Sequence, residues 1–173
     1  MASLKKSIFL LAITVVVLMF MIFNAPSSFS QPNQDQLEGT WIGHMTVEIP
    51  PGMAPVTDLM TFAPGGVLIE SRRLYLPNLP MGSILETTGH GKWMKTGDQE
   101  YEALIVFPLQ GAPNNTKLNG TFIGTTHVHF RLKLNQDRTE LGGTFASEVH
   151  DPEGNVAFTA NGIYNGAPVD LES

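Results

Sequence analysis

From Gly39 to Tyr164 the chain is a succession of short runs in which apolar and polar residues alternate, each closed off by Gly, Pro, Asn or Asp, and no stretch carries a long helical period. A period of two sends successive side chains to opposite faces, so these runs read as half-buried strands. We count eight. The first opens with Gly39-Thr40-Trp41 and extends to about Ile49. The second and third span about 56–62 and 67–73, the fourth and fifth flank the turn 96–99, the sixth ends at Leu134, the seventh covers 141–149 and the eighth 156–164. With no helix long enough for a crossover, consecutive strands pair antiparallel. The predicted fold is therefore an all-β, eight-stranded antiparallel up-and-down β-barrel closed by pairing first strand with last, with a two-sheet sandwich as the alternative.

The turns suggest registers. Pro64-Gly65 suits the centre of a type II turn, because the second position takes φ > 0, and this sets Phe62 opposite Val67, Met60 opposite Ile69 and Asp58 opposite Ser71. The next hairpin sets Trp93 against Tyr101, Gly91 against Ala103 and Lys92 against Glu102. Strands six and seven pair Leu134 with Leu141 and Phe130 with Phe145, and strands seven and eight pair Val149 with Val156 and Leu141 with Tyr164. Strand direction alternates, so the tight turns near 64–65, 97–98 and 136–137 fall at one end, together with Trp41, Phe62, Trp93, Tyr101 and Tyr164, which plug it. The long connections 50–55, 74–86 and 110–120 fall at the other.

Ahead of the barrel stand Lys5 and Lys6, an uncharged apolar run at 8–23 and a small polar segment at 24–30, the pattern of a secretory signal peptide with cleavage before Gln31. The sixteen residues of the run are short of the ~20 that a spanning helix prefers, so a retained membrane anchor is the lesser reading. The expected layout is a signal peptide at 1–30, a polar leader at 31–38, the barrel at 39–164 and a frayed tail at 165–173, in a secreted or periplasmic protein. Beyond residue 30, eight basic residues face sixteen acidic ones, a formal charge of −8. That argues against nucleic acid or an anionic membrane as partner, since both need a basic face. The sequence contains no cysteine, which excludes disulfides, thiol catalysis and thiolate metal sites. Asn114 and Asn119 each begin an Asn-x-Thr triplet, which matters only in a host that glycosylates.

Small or polar residues on the predicted inner face toward the long loops leave room for a ligand: Asp58, Ser71, Gly89, Gly91, Ala103, Thr126 and Ser147, with Ile105 and Phe158 as apolar lining. The connection 74–86 is too apolar for a solvated loop and reads either as a lid over the mouth or as a buried excursion capping the core. Asp58, on the face of Val56, Met60 and Phe62, would be desolvated and its pKa raised, which makes it a candidate general acid or base, or a group orienting a polar ligand head. The competing reading starts the strand at Leu59 and leaves Asp58 in water. Ser71 has no histidine on its face, so a nucleophilic triad finds no support. On the outer face His127, His129, Glu148 and His150 lie within reach of one another at a spacing that can hold a divalent ion, although a solvated strand face explains them equally simply. No cofactor is implied.

The Gly39-Thr40-Trp41 opening and the eight-strand meander resemble the lipocalin and wider calycin group of ligand-carrying barrels, in which the tryptophan of Gly-x-Trp packs across the closed end. The chain lacks that family's late arginine, cysteines and C-terminal helix. The phrases Leu37-Glu38-Gly39-Thr40-Trp41, Thr61-Phe62-Ala63-Pro64-Gly65-Gly66 and Gly89-His90-Gly91-Lys92-Trp93 are also similar to those of exported bacterial proteins of no assigned function. Three functions follow as expectations. The first is an exported carrier or sensor of a small apolar molecule. The second is a cofactor-free barrel enzyme resembling the allene oxide cyclase type, using Asp58 and Ser71. The third is a structural module with a filled core.

Overall fold

A computed structural model describes residues 36–72, 74–79, 82–112 and 119–170. The chain divides into two units, Met1–Asn33 and Gln34–Ser173. The expected signal peptide and Asn114 lie outside the described residues. The described part forms ten strands: β1 Gly39–Ile49, β2 Val56–Ala63, β3 Val67–Arg72, β4 Tyr75–Leu79, β5 Gly82–Glu86, β6 Gly89–Gly97, β7 Glu100–Gly111, β8 Phe122–Leu134, β9 Leu141–His150 and β10 Val156–Pro168.

Eight of these, β1–β3 and β6–β10, close an antiparallel barrel in which β10 returns to β1 and β7 pairs with both β6 and β8. The predicted fold class holds, and closure removes the free edges of the eight strands, which an open sheet would expose. The layout is consistent with a lipocalin-like barrel. β10 stays paired as far as Pro168, opposite Trp41, so the ladder passes beyond the expected end at Tyr164.

Trp41, Phe62, Trp93, Tyr101 and Tyr164 are all buried at the end carrying the tight turns, as the alternation of strand direction requires. Trp93 meets Phe62 and Tyr101 edge-on, with ring centroids 6.0 and 5.9 Å apart, the geometry that ring quadrupoles favour. Both indole N–H groups find carbonyls, Trp41 donating to Leu37 at 3.0 Å and Trp93 to Ala63 at 3.0 Å. Leu37 is fully buried, so the last residues of the leader belong to the floor of the barrel.

Three registers differ from the sequence reading, and one of them changes a face. The turn after β2 uses three residues, Pro64, Gly65 and Gly66, with φ of +78° and +80° at the two glycines. Ala63 therefore pairs with Val67, Phe62 with Leu68, Met60 with Glu70 and Asp58 with Arg72. A slip of one residue sends every side chain of a strand to the opposite face, so Leu68, Glu70 and Arg72 are buried, whereas Val67, Ile69 and Ser71 face solvent. Between β6 and β7 the slip is two residues: Trp93 lies opposite Ala103, and Gly91 opposite Ile105. Faces survive an even slip. The expected Lys92–Glu102 pair does not, as Glu102 lies opposite Met94 and reaches Arg131 at 3.5 Å instead. Between β9 and β10 the slip is likewise two, with Phe158 opposite Val149 and Tyr164 opposite Gly143. The β8–β9 register is as expected, Leu134 opposite Leu141 and Phe130 opposite Phe145.

The stretch 74–86 is neither a loop nor a free lid. It forms the β4–β5 hairpin, and β5 continues onto the end of β7, with Ile84 opposite Gly111 and Glu86 opposite Leu109. Ile84 is fully buried with Leu109, Ile123 and Val149 in a second apolar cluster, against which Met53, Leu74 and Phe158 pack. The excursion thus caps the core, which was the other expectation for it.

Candidate functional site

Between the aromatic plug and the mouth cluster the barrel holds charge. Asp58 from β2, Glu70 and Arg72 from β3 and Glu86 from the end of β5 are all buried. β2 and β3 supply three of them because their ladder sets Asp58 beside Arg72, and because Glu70 and Arg72, two residues apart on one strand, share a face. The hairpin supplies the fourth. Arg72 Nε donates to Glu86 Oε2 at 2.7 Å, and Nη1 donates to Glu70 Oε1 at 3.0 Å and to the Met45 sulfur at 2.9 Å. Its guanidinium carbon lies 4.0 Å from the centre of the Phe107 ring, a cation–π contact in a desolvated place.

Among the described residues one guanidinium faces three carboxyl groups. Burial pushes Glu70 up to about 8, against the pull of Arg72 and with the repulsion of Asp58 and Glu86 added. Burial likewise raises Asp58 to about 6, with Arg72 and a hydrogen bond from Glu70 acting in the opposite sense. Among the described residues no other donor reaches either oxygen of Asp58 or Oε2 of Glu70. A proton held by Glu70 resolves this, since Glu70 then donates to Asp58. Even with that proton in place, the carboxyl groups outnumber the one guanidinium among the described residues. Arg72 loses solvation by burial, but Glu70 and Glu86 outweigh that loss and hold its pKa above the ordinary value. The Tyr164 hydroxyl is raised by burial and by the charges of Asp58 and Glu70, and meets no protein partner among the described residues.

Above the cluster, toward the mouth, lies a cavity of about 40 Å³. Arg72, Glu86, Thr126 and Ser147 form its polar side, and Val47, Met53, Leu74, Phe158 and Ala160 are among its apolar lining. Two buried polar atoms on lining residues, Glu86 Oε1 and Thr126 Oγ1, have no protein partner among the described residues. A larger groove of about 1180 Å³ lies outside, by the turns near Asp98 and Asn135, but its walls are mostly exposed polar side chains.

The residues predicted for the site part company here. Ser147 and Phe158 line the cavity. Asp58 is on the inner face but one layer deeper, in the charge cluster. Ser71 is on the outer wall, because the third turn residue reversed the face of β3, so it is no partner for Asp58. Gly89, Gly91, Ala103 and Ile105 point inward or are buried without bordering the cavity. The small size of the two glycines serves packing: a Cβ on Gly89 would strike the Phe107 ring that carries Arg72, and one on Gly91 would run into the Leu104 carbonyl oxygen of the neighbouring strand. Gly91→Ala is accordingly expected to cost on the order of 1–3 kcal/mol, the usual range for overpacking, read as a fall in the urea midpoint. An unchanged midpoint would mean that β6 and β7 separate freely there.

On the outer wall His127 does lie opposite Glu148, and the His127 and His150 rings stack at 4.5 Å. Their nitrogens are engaged elsewhere, His127 Nε2 with Thr125 Oγ1 at 3.1 Å and His150 Nε2 with Glu148 Oε2 at 3.1 Å. Among the described residues no group of three His, Cys, Asp or Glu is arranged to hold a metal ion, so His127, His129, Glu148 and His150 do not converge on one. Partial burial and the neighbouring His150 lower the pKa of His127.

Sequence reasoning missed Glu70, Arg72 and Glu86. One signal for Arg72 was present: a desolvated Asp58 demands a cation, and the two arginines at 72 and 73 are close by along the hairpin. Nothing in the local pattern marks Glu86, whose burial depends on β5 docking against β7. Compared with protein-family models, curated proteins and solved structures, the chain matches none.

Proposed function

We propose that the chain is an exported binding barrel that holds a small, largely apolar molecule at its mouth, as a carrier or sensor. The observation that carries this reading is a pair of buried polar atoms, Glu86 Oε1 and Thr126 Oγ1, that have no partner among the described residues and belong to two residues lining a cavity whose other lining is mostly apolar. A barrel with a purely structural role gains nothing from a buried ion cluster with spare acceptors, because desolvating such charges costs several kcal/mol per ion and an apolar filling of the same volume is commonly as stable. Binding sites tolerate that cost because the ligand supplies the missing partner. The cavity of about 40 Å³ has room for about three or four waters, each needing roughly 10–15 Å³. It therefore suits the polar end of a ligand, whose apolar body would lie along the partly buried Met53, Leu74 and Phe158.

Catalysis by Asp58 finds less support, since Asp58 does not border the cavity. Trp41 and Trp93 sit at the opposite end and are poor reporters of the mouth, so the test uses an extrinsic probe. The neutral fluorophore N-phenyl-1-naphthylamine should bind saturably at one per chain, and Ala160→Trp, which fills the cavity, should abolish the binding while far-UV circular dichroism stays unchanged. Absence of saturable binding to the folded wild type would remove the proposal.

A further inference from the structure

We infer that the polar end of the molecule held at the mouth is a primary ammonium group, docked against Glu86 Oε1 and Thr126 Oγ1. This rests on the binding-barrel reading above and adds the chemical class of the ligand. Both residues are over nine-tenths buried and both line the cavity, with neither of these atoms bonded to a described protein group. The cation already present is committed: Arg72 gives Nε to Glu86 Oε2 and Nη1 to Glu70 Oε1, and lies over Phe107. Among the described residues three carboxyl groups, Asp58, Glu70 and Glu86, share that one guanidinium.

Charge then ranks the head groups. A carboxylate would add a negative charge to a site already in excess of it, and would bring no donor for the spare acceptors. An alcohol brings one hydrogen bond. An ammonium group brings up to three donors and the opposite charge, and hydrogen bonds to a charged group are roughly twice as strong as neutral ones. Size agrees, because an ammonium head is about as large as a water molecule, and the cavity of about 40 Å³ admits that. A trimethylammonium head is too large and carries no N–H. Val47, Phe158 and Leu74 then flank the alkyl or arylalkyl chain as it leaves toward the mouth.

The experiment is isothermal titration of the purified full-length chain at neutral pH with four ligands of one chain length: hexylamine, hexanol, hexanoate and hexyltrimethylammonium. Hexylamine should bind one per chain and at least ten-fold more tightly than hexanol, with hexanoate and the trimethylated amine weaker still. Glu86→Gln should remove the advantage of hexylamine over hexanol; if that variant does not fold, Thr126→Val should weaken hexylamine several-fold. Hexanol or hexanoate binding as tightly as hexylamine overturns the ammonium assignment and leaves the binding barrel standing. The same holds if no member of the series binds while the neutral fluorophore does. Failure of both the series and the fluorophore removes the binding barrel itself.

Discussion

Replacing Arg72 by methionine should destabilise the barrel by about 3–5 kcal/mol, the range measured when one partner of a buried ion pair is removed. Methionine matches the length and apolar stem of arginine, so little packing is lost and the effect is electrostatic. Asp58, Glu70 and Glu86 would remain without their cation in a place where Arg72 and Glu70 side chains are 2% and 0% exposed. Against a typical total of ~5–15 kcal/mol this is a large part of the stability, and for a domain of this size it corresponds to a fall of roughly 10–20 °C in the melting temperature. Arg72→Lys should fall between, since one ammonium cannot reproduce the fork that reaches Glu86 at 2.7 Å and Glu70 at 3.0 Å together. Adding Glu70→Gln and Glu86→Gln to Arg72→Met should recover much of the loss, because Asp58 is then the one carboxylate of the cluster left and the Glu70→Gln amide can donate to it. Thermal and urea melts of the three variants decide the matter. Equal stability of Arg72→Met and wild type would mean that water, rather than the guanidinium, solvates these carboxylates.

The melting temperature should be highest in mild acid and decline toward alkaline pH. Glu70 at about 8 and Asp58 at about 6 both lie above their ordinary values of 4.5 and 3.8, chiefly through burial. The folded state therefore holds protons that the unfolded chain releases near pH 4. Where the native state binds more protons, stability falls as pH rises. The contribution is fully present below the unfolded values and is lost as pH climbs through 6 and then 8. Each unit between folded and unfolded values is worth about 1.4 kcal/mol, so Glu70 alone sets an upper bound of roughly 5 kcal/mol over this window. Glu70→Gln supplies a permanent donor to Asp58 and keeps an acceptor for Arg72. It should flatten the profile above about pH 6.5, making the variant more stable than wild type at pH 9. A wild-type profile that rises from pH 5 to pH 8 would show that the cluster is fully ionised in the folded protein.

Both expectations depend on residues whose burial hangs on one turn. Period-two alternation was sufficient to locate the eight barrel strands, and counting connections was sufficient to put Trp41, Trp93 and Tyr164 at the closed end, because these need only strand direction and pleat. Asp58 was legible for the same reason, as it shares a face with Met60 and Phe62 within one strand. Glu70 and Arg72 were not, since Val67 and Ile69 make the more apolar face of β3 and would be chosen as its inner side on hydrophobicity alone. Glycines on the inner face read as empty space, whereas Gly89 and Gly91 are occupied by the Phe107 ring and the β7 backbone.

The sequence by itself determined the strands, their order, and which side chains within each strand travel together, because those follow from the geometry of an extended chain. Which of the two faces of β3 turned inward was decided by tertiary structure, through a third turn residue at positive φ and the ladder it set. The same is true of Glu86, carried into the interior by a hairpin that pairs with a strand distant in sequence. A buried charge is specified by the partners that surround it, and Arg72 acquires its carboxylates from three separate strands only after they have closed around it.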